Sequence, residues 1–574
     1  MPANLPFIKR SYQLIKSHAI EISYLLFWLF YFAYFWSHAI TPDELGGMEV
    51  SHVSIWGDWA AHFTMGSAMV ERGLILSSSP FLLGAHFSYP FFTNAISALL
   101  IKMGAPFFSA FVVPSFLFSL MFVGVLFWFY RRLFTSAKIA LLASVIFLCN
   151  GGTGFIYYIQ DIVTSNNPWF IALNPPQEYT SMQDHFIRWI SVVNSQLIPQ
   201  RAFTLGFPLA LIALSLVWHN AFSKKSSAFA FWTAAALLAI LPIIHTHSFL
   251  ASGIILACWM VGRVGIATKA KKLHTFGRWL GLAAVVSLGA IPLLALYFFS
   301  NVSSSSFIRW FPGWYLQEFD VNWFEFWFRN WGVVPILALV GMAIMVSQQK
   351  SSSAKLSVLF YFLPFFAIFA LVNLFLFQPF IWDNTKLLSW ASVGFSGLAA
   401  VTLAQLWNSA SKPALRQTLL KLAAGLIFCL TIFSGTVDLW RIIRFDIHTF
   451  QMYSQTDLQL TDWVKQNTAS DSVWLTGDMH NTWLFNLTGR QPLLTFRGWL
   501  WTHGYDYYQI ETDAREMFQN PAASTDLFAK YGIDYILVGP NEREVWGANE
   551  AEIQEIFPVA ISLGESTIFR INSN

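Results

Sequence analysis

Runs of about 20 apolar residues recur along the chain, at 18–40, 106–130, 137–159, 202–221, 227–244, 249–266, 279–299, 326–347, 356–377, 387–407 and 419–440. A helix rises about 1.5 Å per residue, so such runs suit a hydrocarbon core about 30 Å thick. The pattern predicts a polytopic α-helical membrane protein with about 11 spans. One more apolar stretch, 88–104, would invert every later loop if it crossed. It is read as a helix lying at the outer interface or re-entering it. Beyond residue 440 the pattern changes. VWLTG (473–477) and DYILVG (534–539) read as buried strands, and TDAREMF and STDLFAKYG as helices, the second ending at Gly532. The expected division is a membrane domain over 1–440 and a small α/β domain over 441–574.

Composition sharpens this. Of 574 residues 55% are hydrophobic and 11% charged, against about 25% charged in a soluble domain. An ordinary soluble enzyme and a disordered chain are both excluded. Aromatics reach 18%, which suits interfacial belts. The net charge of +3 is too small and too dispersed for a nucleic-acid partner. Cys149, Cys258 and Cys429 lie inside apolar runs, so neither a disulfide framework nor a thiolate metal site is expected. The first run lacks a small-residue cleavage site and reads as a retained span.

Basic residues set the orientation. Lys9, Arg10 and Lys16 precede the first span. Arg131, Arg132, Lys138, Lys224, Lys225, Lys269, Lys271, Lys272, Arg278, Lys350, Lys355, Lys412, Arg416 and Lys421 fall in alternate loops. The positive-inside rule then puts the N-terminus in the cytoplasm of an inner (plasma) membrane. The long loop 41–105 and the tail lie outside, on the periplasmic face.

Polar chemistry concentrates in the outer loops. The first holds Thr41-Pro42-Asp43-Glu44 and, further on, Gly57-Asp58-Trp59 with His62 one helical turn after Asp58. Charged groups at a membrane boundary are costly unless solvated or paired, which marks Asp58, His62, Asp43 and Glu44 as catalytic candidates. The plain alternatives are a helix cap for Asp58, satisfied by His62, and a solvated span end for the pair. Pro199-Gln200-Arg201 stands at the mouth of the fourth span. There Arg201, with Gln200 beside it, would clamp a phosphate or merely snorkel. Lys386, in Trp382-Asp383-Asn384-Thr385-Lys386, is either a phosphate ligand or half of an ion pair with Asp383. His245 and His247 join spans five and six and could ligate a metal only with other ligands. In the tail, His480, Trp501 and His503 are of the types that contact carbohydrate, or else they are a packed aromatic core. Asn150-Gly151-Gly152-Thr153-Gly154 is not a nucleotide-binding loop, having neither a Gly-Lys-Ser/Thr ending nor a preceding strand. It reads as close helix packing or a backbone break.

These features together resemble the GT-C superfamily of integral-membrane glycosyltransferases. The features are one span, then a long outer loop with Gly57-Asp58-Trp59 and His62, a second interfacial helix opened by Tyr89-Pro90, and Arg131-Arg132-Leu133-Phe134 ending span two. Many spans and an outer C-terminal domain complete the likeness. Asn150 through Phe155, Pro199-Gln200-Arg201, Trp382 through Lys386 and Tyr535 through Pro540 with Glu542-Arg543 resemble a group of bacterial proteins of this type.

The resemblance implies transfer of a sugar from a polyprenyl-phosphate donor to a glycan, lipid or protein acceptor at the outer face, with inversion. Asp58 would be the general base and Arg201, Lys386 and Gln200 would hold the donor phosphate, while His480, Trp501 and His503 would meet the acceptor. The O-mannosyltransferase branch has an adjacent Asp-Glu pair in this loop, which leaves Asp43, Glu44 and Asp58 as alternatives for the base. A divalent metal (Mg or Mn) is left open, with Asp43, Asp58, His62 and His245 as its candidate ligands. Rival readings are a flippase for lipid-linked sugar and a non-catalytic glycolipid-binding protein. A flippase would need polar residues through the bilayer midplane.

Overall fold

The computed structural model describes residues 17–222, 227–297, 308–409, 414–445 and 448–571. Lys9, Arg10, Lys16, Lys224, Lys225 and Lys412, used above for orientation, lie outside the described residues. Among the described residues, eight helices are long and apolar enough to cross a membrane. They are Ala19–Ser37, Ser109–Phe134, Arg201–His219, Thr246–Ile266, Lys269–Tyr297, Ser352–Val372, Ile381–Trp407 and Ala414–Arg441. The chain is an integral membrane protein.

Three of the eleven expected spans take another form. The run 227–244 is a helix of only 17 residues, Ala228–Ile244. The run 137–159 stops after 13 residues at Cys149, which is about 20 Å of helix. The break is Asn150 through Gly154. A Cβ on Gly154 would collide with the Tyr179 carbonyl, one on Gly152 with the Arg329 carbonyl, and one on Gly151 with Thr180 and Ser434. These glycines let three backbone segments meet, so the expected close packing and the expected break occur at one place. The run 326–347 is bent by 87° between Trp323–Trp331 and Val334–Ser347. Gly332 sits at the bend with φ +58, a left-handed conformation that favours glycine. The stretch 88–104 forms a short helix, Phe92–Lys102, beside the longer helix Val53–Arg72 of the same loop.

The helix Ile381–Trp407 passes through the centre of the bundle, buried along its apolar length. Gly394 and Gly397 admit Phe365, and Tyr130 with Phe134, against it. The tail carries a five-stranded mixed sheet. Val473–Leu475 runs parallel to Gln491–Pro492 and Tyr535–Val538, and Ser566–Arg570 runs antiparallel to Tyr535–Val538 and Val559–Leu563. An earlier tail strand, Phe450–Tyr453, pairs instead with Met48–Val50 of the first loop.

The tail is thereby tied to the helix Val53–Arg72. The Thr64 hydroxyl donates to Asn486 Oδ1 at 2.7 Å and the Ser67 hydroxyl to the Asn486 carbonyl at 2.7 Å. The Leu83 amide donates to the Leu493 carbonyl and the Thr495 amide to the Phe81 carbonyl.

Gly154→Ala is expected to destabilise the detergent-purified protein by about 2 kcal/mol or to abolish folding, since backbone rather than a flexible side chain must yield. Gly253→Ala, where an added Cβ meets nothing within 4 Å, should leave the thermal midpoint at or slightly above wild type. Thermal unfolding of the two variants checks this.

Candidate active site

The helix Val53–Arg72 begins at His52, whose Nδ1 accepts the Ser54 amide N–H at 3.1 Å. The cap is therefore His52 and not Asp58, which stands in the second turn. Trp59 anchors this turn: its ring is fully buried, stacks on Trp36 and donates its indole N–H to the Ile198 carbonyl at 3.1 Å. Asp58 is left half-buried on the adjoining face. Its Oδ2 accepts the Gln200 amide at 3.5 Å. Gln200 follows a π-turn, Val193–Leu197, a form frequent at functional sites.

Lys386 stands in the first turn of the α-helix Thr385–Trp407, into which a 3₁₀ turn Ile381–Asn384 leads. Its Nζ lies 2.9 Å from Asp383 Oδ1, and both side chains are only 12–13% exposed. So the ion-pair reading of Lys386 describes its resting geometry. The charges of Lys386 and Asp383 both act on Asp58 and on the Tyr89 phenol. Burial pushes the Asp58 carboxyl up to about 6; Asp383 adds to this, and Lys386, Gln200 and His52 oppose it. A carboxylate with that affinity for a proton is matched to base chemistry near neutral pH.

His62 and Arg201 form a separate group. His62 Nδ1 lies 3.1 Å from Asn94 Oδ1, and Arg201 Nη1 donates to that same oxygen at 3.0 Å. Arg201 Nη2 donates to the Ser97 hydroxyl at 2.7 Å and Nε to the Ser115 hydroxyl at 3.0 Å. Its guanidinium packs over the Trp59 and Phe111 rings. Arg201 is 1% exposed, and among the described residues no carboxylate pairs with it. The expected position at the outer surface is corrected: three neutral oxygens and two rings enclose the side chain. Burial and the Arg201 charge push the His62 imidazole down to about 3, so it is neutral at physiological pH and bonds Asn94 rather than Asp58.

Asp43 and Glu44 stand apart from this group. Asp43 Oδ1 accepts the amides of Leu45 and Gly47 at 2.9 and 2.7 Å, and Oδ2 accepts Gln451. It serves a turn, and those N–H groups hold its carboxyl below the usual range. Glu44 is exposed. His245 caps the helix Thr246–Ile266. Asp43, Asp58, His62 and His245 are therefore not drawn into one ligand set, and among the described residues no three His, Cys, Asp or Glu side chains are grouped to hold a metal.

The tail residues do come to the site's rim. The His480 ring stands edge-on to Trp56 at 4.2 Å, two residues before Asp58. Trp501 is 44% exposed and meets Phe380. His503 lies against Tyr89 at 4.7 Å, and burial together with the Lys386 charge pushes its imidazole down to about 3.

Sequence reasoning missed Asn94, Ser97 and Ser115. Asn94 and Ser97 are spaced i,i+3 on one face of an otherwise apolar helix, and that spacing was the available signal. It also missed Asp438, which is fully buried and accepts the amides of Tyr179 and Thr180 and the Thr180 hydroxyl.

The sequence matches no family model and no curated protein. Solved structures share the fold. ArnT from Cupriavidus metallidurans bound to undecaprenyl phosphate superposes with a TM-score of 0.52 at 11% identity, over 97% of this chain and 99% of that one. The archaeal oligosaccharyltransferase AglB from Archaeoglobus fulgidus, in complex with an inhibitory peptide and a dolichol-phosphate, gives a TM-score of 0.51 at 10% identity, over 92% of this chain and 70% of that one. The chain shares the fold of these two membrane proteins over most of its length.

The raised Asp58 carboxyl has a stability consequence. Its proton affinity is higher folded than unfolded, so its ionisation opposes folding increasingly as pH rises from about 4 through about 6. Asp58→Asn should raise the thermal midpoint at pH 7.5, and the gap should close below about pH 4, where both side chains are neutral. An equal gap at both pH values contradicts the buried-carboxyl description.

Proposed function

We propose that this protein is a glycosyltransferase that moves a sugar from a polyprenyl-phosphate donor to an acceptor hydroxyl or amide at the extracytoplasmic face of the membrane. The observation that carries the reading is the grouping of Asp58, Gln200 and Lys386 under the tail's His503 and His480. It puts a proton acceptor and a cation within each other's electrostatic reach, both partly screened from water. The bound lipids of the two solved structures, undecaprenyl phosphate and dolichol-phosphate, support a polyprenyl-phosphate donor.

The chemistry follows from the leaving group. A phosphate departs as a stable anion and needs no protonation, so one carboxylate suffices. Asp58 takes the proton of the acceptor as the acceptor atom bonds to the anomeric carbon. The bond from that carbon to phosphate oxygen breaks on the opposite face, the electron pair leaves with the phosphate, and the centre inverts. Lys386 exchanges part of its pairing with Asp383 for the phosphate and neutralises its growing charge. Gln200 fixes Asp58 by donating to Oδ2. Arg201, enclosed as it is, holds Phe92–Lys102 against Ser109–Phe134 through Ser97 and Ser115 and adds a positive field from behind. His480, Trp501 and His503 line the side from which the acceptor comes. Among the described residues no side chains are grouped as a metal set, and no step is assigned to a metal.

Asp58→Asn should lower transfer from a radiolabelled polyprenyl-phosphate sugar in membranes by at least about 100-fold. The wild-type rate should fall on the acid side with a midpoint near pH 6, and Lys386→Met should move that limb to higher pH, because the Lys386 charge opposes protonation of Asp58. Undiminished transfer by Asp58→Asn contradicts the assignment of the base.

A further inference from the structure

The loop between Ala228–Ile244 and Thr246–Ile266 carries a histidine with one ring nitrogen engaged and the other not. The Ser248 backbone N–H donates to His245 Nδ1 at 3.2 Å, and the Ser248 hydroxyl lies 2.8 Å from the same nitrogen. In a neutral imidazole, a nitrogen that accepts an N–H has no proton of its own, so the proton is on Nε2. The Nε2–H is thus a fixed donor on a residue 4% exposed, and among the described residues nothing accepts it. A buried donor left without an acceptor is costly.

Ser248 Oγ accepts the Trp390 indole N–H at 3.2 Å, and Trp390 is one helical turn beyond Lys386 on the same helix. Phe203, two residues past Arg201, stands edge-on to the His245 ring at 5.2 Å. At Gly206 a Cβ would collide with the Cβ of His245, so the helix Arg201–Phe222 is kept open there for this side chain. The positive charge of Lys386 acts on the His245 ring. A second sealed N–H without a partner, the Trp382 indole, lies four residues before Lys386. The unmet groups on and against this segment are thus two neutral donors and one acceptor, Gln196 Oε1, whose amide donates to Thr385. An oxyanion accepts from the two donors and the cation, and a monoprotonated phosphate also has a hydrogen for the acceptor.

We propose that His245 Nε2–H is a ligand, together with Lys386, for the phosphate of a polyprenyl phosphate. The inference rests on the donor assigned under the proposed function and adds a neutral ligand to it. A neutral donor holds the oxyanion without adding a second positive charge that would depress the basicity of Asp58.

The test uses the full chain in nanodiscs and undecaprenyl phosphate as the probe, with binding read by native mass spectrometry and by the ³¹P chemical shift. His245→Asn places an acceptor where Nδ1 stands, keeping the cap, and removes the Nε2 donor. His245→Gln places an amide N–H near Nε2. Binding should weaken about tenfold in His245→Asn and stay within about threefold of wild type in His245→Gln, with the lipid-free thermal midpoint of His245→Asn near wild type. Wild-type binding by His245→Asn overturns the inference and leaves the proposed function standing. Equal loss in both variants also overturns it, since the shape of the ring rather than its donor is then what matters. If wild type itself binds no undecaprenyl phosphate, the donor reading fails and this inference fails with it.

Discussion

Taking a charge out of water costs several kcal/mol per ion unless a partner lies close by. The centre of this protein holds Asp58, Asp383 and Lys386 in that condition. One cation faces two carboxylates there. The ammonium settles on Asp383 at 2.9 Å, and Asp58 receives the remainder of its field plus one amide from Gln200. Asp58 is the less compensated of the two acids, and its raised proton affinity expresses that shortfall. The same imbalance raises its affinity for a proton, which is what the proposed base role calls for. A fully balanced pair would be more stable and chemically idle.

Other parts of the fold bear on this pocket by closing it. The first loop supplies Val53–Arg72, and the tail grips that helix through Asn486, so the two ends of the chain meet over the site. His52 caps the helix and reaches Glu178 through its other nitrogen at 3.2 Å, while the neighbouring Tyr179 and Thr180 bond Asp438 on the last span. The helix that carries Asp58 is thus tied to two separate segments. Beneath it, Arg201 takes its bonds from neutral oxygens on Asn94, Ser97 and Ser115. Among the described residues no anion pairs with it, and its charge acts on the His62 ring.

Much of this was legible in the chain. Span-length apolar runs need no tertiary information to recognise, and eight of the eleven appear as helices long enough to cross. The others failed for local reasons. At 137–159 and 326–347, glycines admit another backbone or a positive φ, and a hydropathy window is blind to both. At the site, Asp58, Gln200 and Lys386 could be picked out because charge and amide groups are rare at a membrane boundary, and the fold brings them together. Asp43 could not be told from them by that criterion, since a turn at a span end also needs an acid. His62 has the right spacing from Asp58 but points to Asn94, on a helix 32 positions away. Arg201 was read as a clamp or a snorkelling side chain because the residues that enclose it come from three other segments. Such pairings are set by packing and are invisible to spacing along one helix.

The central claim is that a base and a cation share one pocket open to a lipid phosphate. The most direct measurement is an electron cryomicroscopy map of the full chain in nanodiscs with undecaprenyl phosphate. The account predicts headgroup density against Lys386 Nζ, below Asp58 and on the membrane side of His503. Headgroup density at any other part of the chain, with Lys386 still paired to Asp383 alone, would contradict it.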